Sequence, residues 1–109
     1  MAEKTLKQYQ QEIDTWAQQF EKPYWSPMSQ LARLIEEVGE LARIYNHRYG
    51  DKIKKPTEEP DDFVGEIGDI IFDLMCIANL EDVDLDAAVQ SAVDKANGRD
   101  KDRFPKKSV

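Results

Sequence analysis

One cysteine and one histidine are all that this 109-residue chain offers to soft metals. With Cys76 alone no disulfide can close within the chain, and its apolar neighbours Met75 and Ile77 mark it as a buried, inert thiol. A zinc site needs several Cys or His ligands, and di-iron bundles use Glu-x-x-His pairs. Here the lone His47 has Ile44 three residues before it, so neither site can be assembled. His47 reads more naturally as a helix-end or surface residue. Basic charge is in deficit: 15 Lys and Arg against 22 Asp and Glu leave a net charge of −7, which argues against nucleic-acid binding through a basic surface. No apolar run is long enough to span a membrane, and Met1-Ala2-Glu3-Lys4-Thr5 lacks the core of a signal peptide. The expectation is a cytoplasmic protein without membrane or nucleic-acid partners. Neither a glycine-rich phosphate loop nor an EF-hand loop is present, and no segment alternates as a strand would.

What the chain does have is carboxylates in a repeated phrase. Glu37-Val38-Gly39-Glu40 returns as Glu66-Ile67-Gly68-Asp69. In each copy two acids stand three residues apart, which on a helix places them on one face. The surrounding pattern is helical throughout. Leu6, Tyr9, Ile13, Trp16, Ala17 and Phe20 recur at helical spacing over residues 5–20, with Thr5 and Gln8 as a capping box; Trp16 falls on the core stripe. Ser26 and Pro27 open a second helix whose stripe runs from Leu31 to Tyr45, with Gly50 as its stop. A charged, proline-bearing loop from Asp51 to Pro60 follows, holding Lys52, Lys54 and Lys55. The third helix, from about Asp61 to Asn79, is apolar in nearly every direction, the mark of a buried helix. The fourth runs from near Asp84 to near Gly98, with a face of mostly small side chains. The expected fold is all-α, four helices, with residues 1–109 forming a single domain.

Along the third helix Glu66, Asp69 and Asp73 fall within an arc of about 60°. Acids on a buried helix need a cation or another partner. If the second and third helices pack side by side, Glu37, Glu40, Glu66 and Asp69 face one cavity. An oxygen-only donor set suits Mg²⁺, which shares its shell between carboxylates and substrate phosphates. Glu36 or Asp73 could then orient or deprotonate an attacking water. Gly39 and Gly68 each cost a mid-helix position about 1 kcal/mol relative to alanine, which suggests close helix approach or room for a ligand. The competing explanation is a solvated acidic face, and for the first phrase alone it is the better one. The second phrase, set in an apolar helix, reverses that preference.

At these residues the sequence resembles the MazG-like nucleotide pyrophosphohydrolases of the all-α NTP pyrophosphatase superfamily. Their pattern, E-E-x-x-E followed after a gap by E-x-x-D, stands here as Glu36-Glu37-Val38-Gly39-Glu40 and Glu66-Ile67-Gly68-Asp69, and "NHRYGDK", "GEIGDIIFDL" and "KANGRDKDRF" match as well. The resemblance implies a bundle completed by dimerisation, as a homodimer or homotetramer. The implied reaction is Mg²⁺-dependent hydrolysis of a nucleoside triphosphate to the monophosphate and pyrophosphate, with Mn²⁺ able to substitute. By position Glu37, Glu40, Glu66 and Asp69 are the implied metal ligands, and Glu36, the extra acid of the pattern, is the candidate catalytic residue, for activating water or binding another ion. Lys95 and Asn97 match a Lys-x-Asn pattern and, with Arg99 and Lys54, are candidates for phosphate or sugar contacts; Arg103 is a weaker one. Trp25 and Tyr24 are candidates for the base. The alternatives are a non-catalytic helical dimer that binds nucleotide or protein while retaining a metal site, and a bundle in which metal is purely structural.

Overall fold

A computed structural model describes residues 3–108. Four helices follow one another: α1 (Leu6–Ala17), α2 (Pro27–Tyr49), α3 (Phe63–Leu80) and α4 (Leu85–Gly98). No strand occurs among the described residues. The helix starts are set by local chemistry. Thr5 and Gln8 form the reciprocal capping box on α1, and Ser26 accepts the Ser29 N–H ahead of Pro27 in α2. Asp62 takes the Gly65 N–H at 2.9 Å, so α3 begins at Phe63 and Asp61 stays outside it. α1 stops at Ala17 rather than reaching Phe20. The Phe20 N–H bonds back to the Ala17 carbonyl at 3.1 Å, a tightened turn that leads the chain toward Pro23.

α2 and α3 form the largest contact, α1 lies on α3, and α4 rests on α1. The α2–α3 pair is antiparallel. Tyr45 meets Phe63 at one end, with ring centroids 5.8 Å apart, and Arg33 meets Asp73 toward the other. A polar network ties α1 to the α3–α4 turn. The Gln10 amide donates to Asn79 Oδ1 at 3.2 Å and to the Val83 carbonyl at 2.8 Å, and its oxygen accepts the Leu85 N–H at 2.9 Å. Asn79 in turn donates to the Tyr24 hydroxyl at 3.1 Å, and that hydroxyl donates to Asp14 at 2.5 Å. Tyr24 is thus engaged in holding the α1–α2 connection. Burial, followed by its bond to Asp14, raises its pKa to about 12.

Asp86 of α4 receives the Leu6 and Lys7 N–H groups, both at 3.1 Å. Those amides belong to the first turn of α1 and have no intrahelical acceptor, and a carboxylate there also complements the helix dipole. Asp86→Ala is expected to lower unfolding stability by about 1–2 kcal/mol, read as a reduced urea midpoint at unchanged slope.

The apolar faces are only partly covered. Ala17, Ile44, Met75, Cys76 and Ala78 are the buried apolar residues, with the polar Gln10, Gln30 and Asp73 buried among them. α3 is not enclosed all round as its composition predicts. Ile71 and Leu74 are each more than two-fifths exposed, and Val64 is nearly free. Trp16 is not core within the single chain either. It is half exposed, edge-on to Phe20 and Phe72, at the rim of an apolar groove of about 620 Å³ that includes Tyr9, Ile13 and Ile71. The chain exposes 8982 Å², whereas a compact chain of 12.6 kDa exposes about 6,200 Å². Its radius of gyration is 17.9 Å, against about 13 Å for a compact domain of this length. The apolar stripes of α1, α2 and α3 are correct as helical stripes, but four helices of one chain do not cover them.

Candidate metal centre and nucleotide cleft

The two acidic phrases meet across the α2–α3 seam. Carboxylate oxygens of Glu37, Glu66 and Asp69 lie within 4.8 Å of one another. Ligands on one six-coordinate Mg²⁺ at about 2.1 Å are about 3–4 Å apart, so small side-chain rotations bring all three into one shell. Glu66 Oε2 is buried and has no hydrogen-bond partner. The Glu66 pKa is pushed up to about 7, first by burial and then by its hydrogen bond with Glu37 and the charges of Glu37, Asp69 and Glu40. Carboxylates gathered in a partly buried seam, each raising the cost of charge on Glu66 and one with an orphaned oxygen, fit a divalent cation. Glu40 stands one turn along α2 from Glu37. It is ion-paired with Arg43 and lines a hollow shared with Glu66, Asp61 and Asp62, so it adjoins the trio without being part of it.

The raised pKa has a direction for stability. Without metal, the folded chain binds more protons at Glu66 than the unfolded chain between its ordinary value near 4.5 and about 7. Its contribution to stability is therefore full below that window and lost as pH rises through it. We expect the metal-free melting temperature to fall from pH 5 to pH 8, Mg²⁺ to offset the fall, and Glu66→Gln to flatten it. Thermal melts in EDTA and in Mg²⁺ across that range check the sign; a metal-free wild-type curve as flat as that of Glu66→Gln would contradict it.

The remaining candidates separate into three places. Glu36 is exposed and lines a cleft of about 500 Å³ with Lys22, Tyr24, Trp25, Ser29 and Arg33. It borders the carboxylate trio in sequence but faces this neighbouring cleft. Asp73 is sealed, 1% exposed, with Oδ1 3.4 Å from Arg33 Nε. Its burial raises its pKa and Arg33 opposes the rise. It is held as a partner for Arg33 rather than facing an open basin as a water-activating group would. Lys54 Nζ is 3.3 Å from Asp61 Oδ1, which borders the same hollow as Glu40 and Glu66; a lysine from the loop thus reaches the edge of the acidic site. Lys95, Asn97 and Arg99 lie exposed along the end of α4, and Arg99 pairs with Asp100 at 3.4 Å. Within the single chain α4 packs on α1, so these three are not gathered at the seam.

Two features are missed by sequence reasoning. His47 is not a surface residue: its side chain is 5% exposed, with Nε2 3.3 Å from Glu58 Oε2 and Nδ1 3.6 Å from Asp61 Oδ1. It sits where the α2–α3 loop folds back on α2. Arg33 carries no motif at all, yet it bridges the seam to Asp73 and lies over the Trp25 ring. Its only sequence signal is a cation four residues before Glu37 facing an acid four residues after Asp69, legible once an antiparallel pairing is assumed.

The profile of the MazG nucleotide pyrophosphohydrolase domain matches residues 25–104. The uncharacterized protein YpjD of Bacillus subtilis (strain 168) is 49% identical over 107 residues, covering 98% of this chain and 96% of YpjD. The crystal structure of YpjD, provisionally designated a pyrophosphatase, superposes with a TM-score of 0.78 at 47% identity, covering 89% of this chain and 99% of that one. The Bacillus-conserved MazG protein, a nucleotide pyrophosphohydrolase, superposes with a TM-score of 0.76 at 41% identity over 94% of this chain and 99% of that one. With its all-α fold and two acidic phrases meeting across one seam, the chain belongs to the MazG nucleotide pyrophosphohydrolase family.

Proposed function

We propose that this chain is a cytoplasmic nucleoside triphosphate pyrophosphohydrolase that requires Mg²⁺, with Mn²⁺ able to replace it, and releases the nucleoside monophosphate and pyrophosphate. The observation that supports this most is the trio of Glu37, Glu66 and Asp69 with its orphaned, buried oxygen on Glu66. Family membership supplies the reaction class, nucleotide pyrophosphate hydrolysis.

Glu37, Glu66 and Asp69 would hold the ion, with Glu40, now paired with Arg43, as the adjoining fourth carboxylate; an ion held there would polarise the phosphoryl group and neutralise charge on the leaving pyrophosphate. Glu36 accepts the proton of the water that attacks the α-phosphorus. The new P–O bond forms as the bond from the α-phosphorus to the α–β bridging oxygen breaks, and that oxygen departs with pyrophosphate. Lys54 stands at the rim of the acidic site to meet the leaving phosphates. Trp25, half exposed beside Glu36, offers a stacking surface for the base. Lys95, Asn97 and Arg99 contribute contacts to phosphate or sugar only when assembly brings an α4 end to the seam.

That assembly is a homodimer or a pair of dimers. The supporting observation is the excess of about 2,800 Å² of surface over that of a compact chain, well above the roughly 800 Å² per partner of a standard interface. No helix among the described residues is long and apolar enough to cross a membrane.

The test is product analysis on a panel of common and modified nucleoside triphosphates, with Mg²⁺ and with EDTA. Matched release of monophosphate and pyrophosphate, abolished by EDTA, is expected. Release of orthophosphate instead, or no product across the panel, would overturn the reading.

A further inference from the structure

The cleft beside Glu36 contains a chain of contacts that metal binding does not require. Trp25 lies in the connection between α1 and α2, 53% exposed. Its backbone N–H donates to the buried Gln30 at 3.3 Å, which fixes the connection to α2. The Arg33 guanidinium lies 5.1 Å from the Trp25 ring centroid. Arg33 Nε faces Asp73 Oδ1 of α3 at 3.4 Å, and the Asp73 side chain is almost completely enclosed. A carboxylate that deep is costly unless a cation answers it, so the guanidinium is anchored from below at its Nε edge. Its two terminal amino groups make no hydrogen bond among the described residues, and Arg33 remains two-fifths exposed in the wall of the cleft. The side chain is therefore a fork tethered at its Nε edge by Asp73 and lying against Trp25, whose other end offers donors, and only donors, to whatever enters.

A flat aromatic ring beside a fixed pair of donors is the chemistry of a nucleobase site. The donors demand acceptors. Uracil, thymine, cytosine, guanine and hypoxanthine each carry a ring carbonyl, whose oxygen has two lone pairs for such a fork. Adenine has none: its acceptors are ring nitrogens with one lone pair each, which can take one of the two donors but not both. We propose that Arg33, anchored by Asp73, is the specificity-determining residue of this cleft and that the preferred substrates carry a base with a ring carbonyl. This rests on the hydrolase reading only for its choice of ligand, and it is tested through binding as well as turnover.

The experiment titrates wild type, Arg33→Met, Arg33→Lys and Asp73→Asn with the α,β-methylene analogues of GTP, UTP and ATP in Mg²⁺ by calorimetry. Steady-state kinetics on the hydrolysable triphosphates run in parallel. Wild type is expected to favour the guanine and uracil ligands over adenine by about tenfold, the scale of one good bidentate contact. Arg33→Met should lose that factor for guanine and uracil, chiefly in KM, and change little for adenine, so that the ratio falls to within about threefold. Arg33→Lys, which keeps charge but not the fork, should fall between, and Asp73→Asn should erode the same ratio. Circular dichroism and Mn²⁺ binding followed by EPR report fold and metal site, both expected to stay as in wild type. Discrimination retained in Arg33→Met and Arg33→Lys, a wild-type preference for adenine, or no binding of any analogue would overturn the proposal. Selective binding without hydrolysis would instead overturn the hydrolase reading and leave the assignment of Arg33 in place.

Discussion

Asp69→Asn is expected to lower kcat/KM by about 10²–10³-fold or more while helix content stays at the wild-type level. The magnitude follows from what the residue does. Asp69 shares with Glu37 and Glu66 a space in which their oxygens lie within 4.8 Å, and removing one anionic ligand weakens both the hold on the ion and the charge stabilisation it supplies to the leaving phosphates. The same change relieves repulsion in the metal-free protein, because Asp69 is one of the charges that raises the pKa of Glu66. The variant should therefore melt at the wild-type temperature or higher in EDTA, and gain less from Mg²⁺. Loss of activity with an unchanged Mg²⁺ stabilisation would place the metal elsewhere. Wild-type turnover in Asp69→Asn would remove this residue from the site.

The second large effect is on assembly. Ile71→Glu puts a charge on the open face of α3, in the groove bounded by Trp16 and Phe72. An unpaired carboxylate in an apolar interface costs far more than a surface change of the same kind. Wild type should show a mass of at least twice 12.6 kDa by light scattering, and the variant should shift to the single-chain mass or become prone to aggregation. Activity should fall with it, since the end of α4 then loses its route to the seam. A wild-type protein that is monomeric at concentrations where it turns over would refute the assembly. An Ile71→Glu variant that keeps the wild-type mass would place the interface on a different face.

The contrast between these sites and the rest of the fold shows which information is local. Thr5, Ser26, Asp62 and Asp84 act within three residues of themselves, so the helix starts are legible as strings. The repeated Glu/Asp spacing is legible for the same reason, because three residues on a helix define a face whatever lies opposite. The all-round apolar pattern of α3 asks for more cover than the other three helices supply, and its exposed Ile71 and Leu74 are consistent with that, but which face of Trp16 or α3 stays open was not legible, since a stripe reports that a face is to be covered and not by which chain. His47 stands in the last turn of α2, as its helix-end reading expects, but its burial depends on Glu58 and Asp61, eleven and fourteen residues away across a loop whose path no periodicity describes. Arg33 and Asp73, forty residues apart, become partners only once the register of α2 on α3 is known.

Gly39 and Gly68 raise a different matter. Close helix approach was one expected reason for them, yet a methyl group built at either position meets nothing within 4 Å in the single chain. Each helix thus forgoes about 1 kcal/mol that alanine would provide at no steric cost. Anyone seeking a more heat-resistant version of this protein would choose these two positions first, and the choice would succeed by every measure applied to an isolated chain. They lie inside the two acidic phrases, however, and Gly68 also borders the apolar groove. With close approach within the chain set aside, room for a ligand or a second subunit is the expected reason that remains for both. Local stability that a sequence leaves unclaimed at two matching places is therefore a map of where the folded chain is not yet the working object, and stabilising those places hardens the part at the expense of the whole.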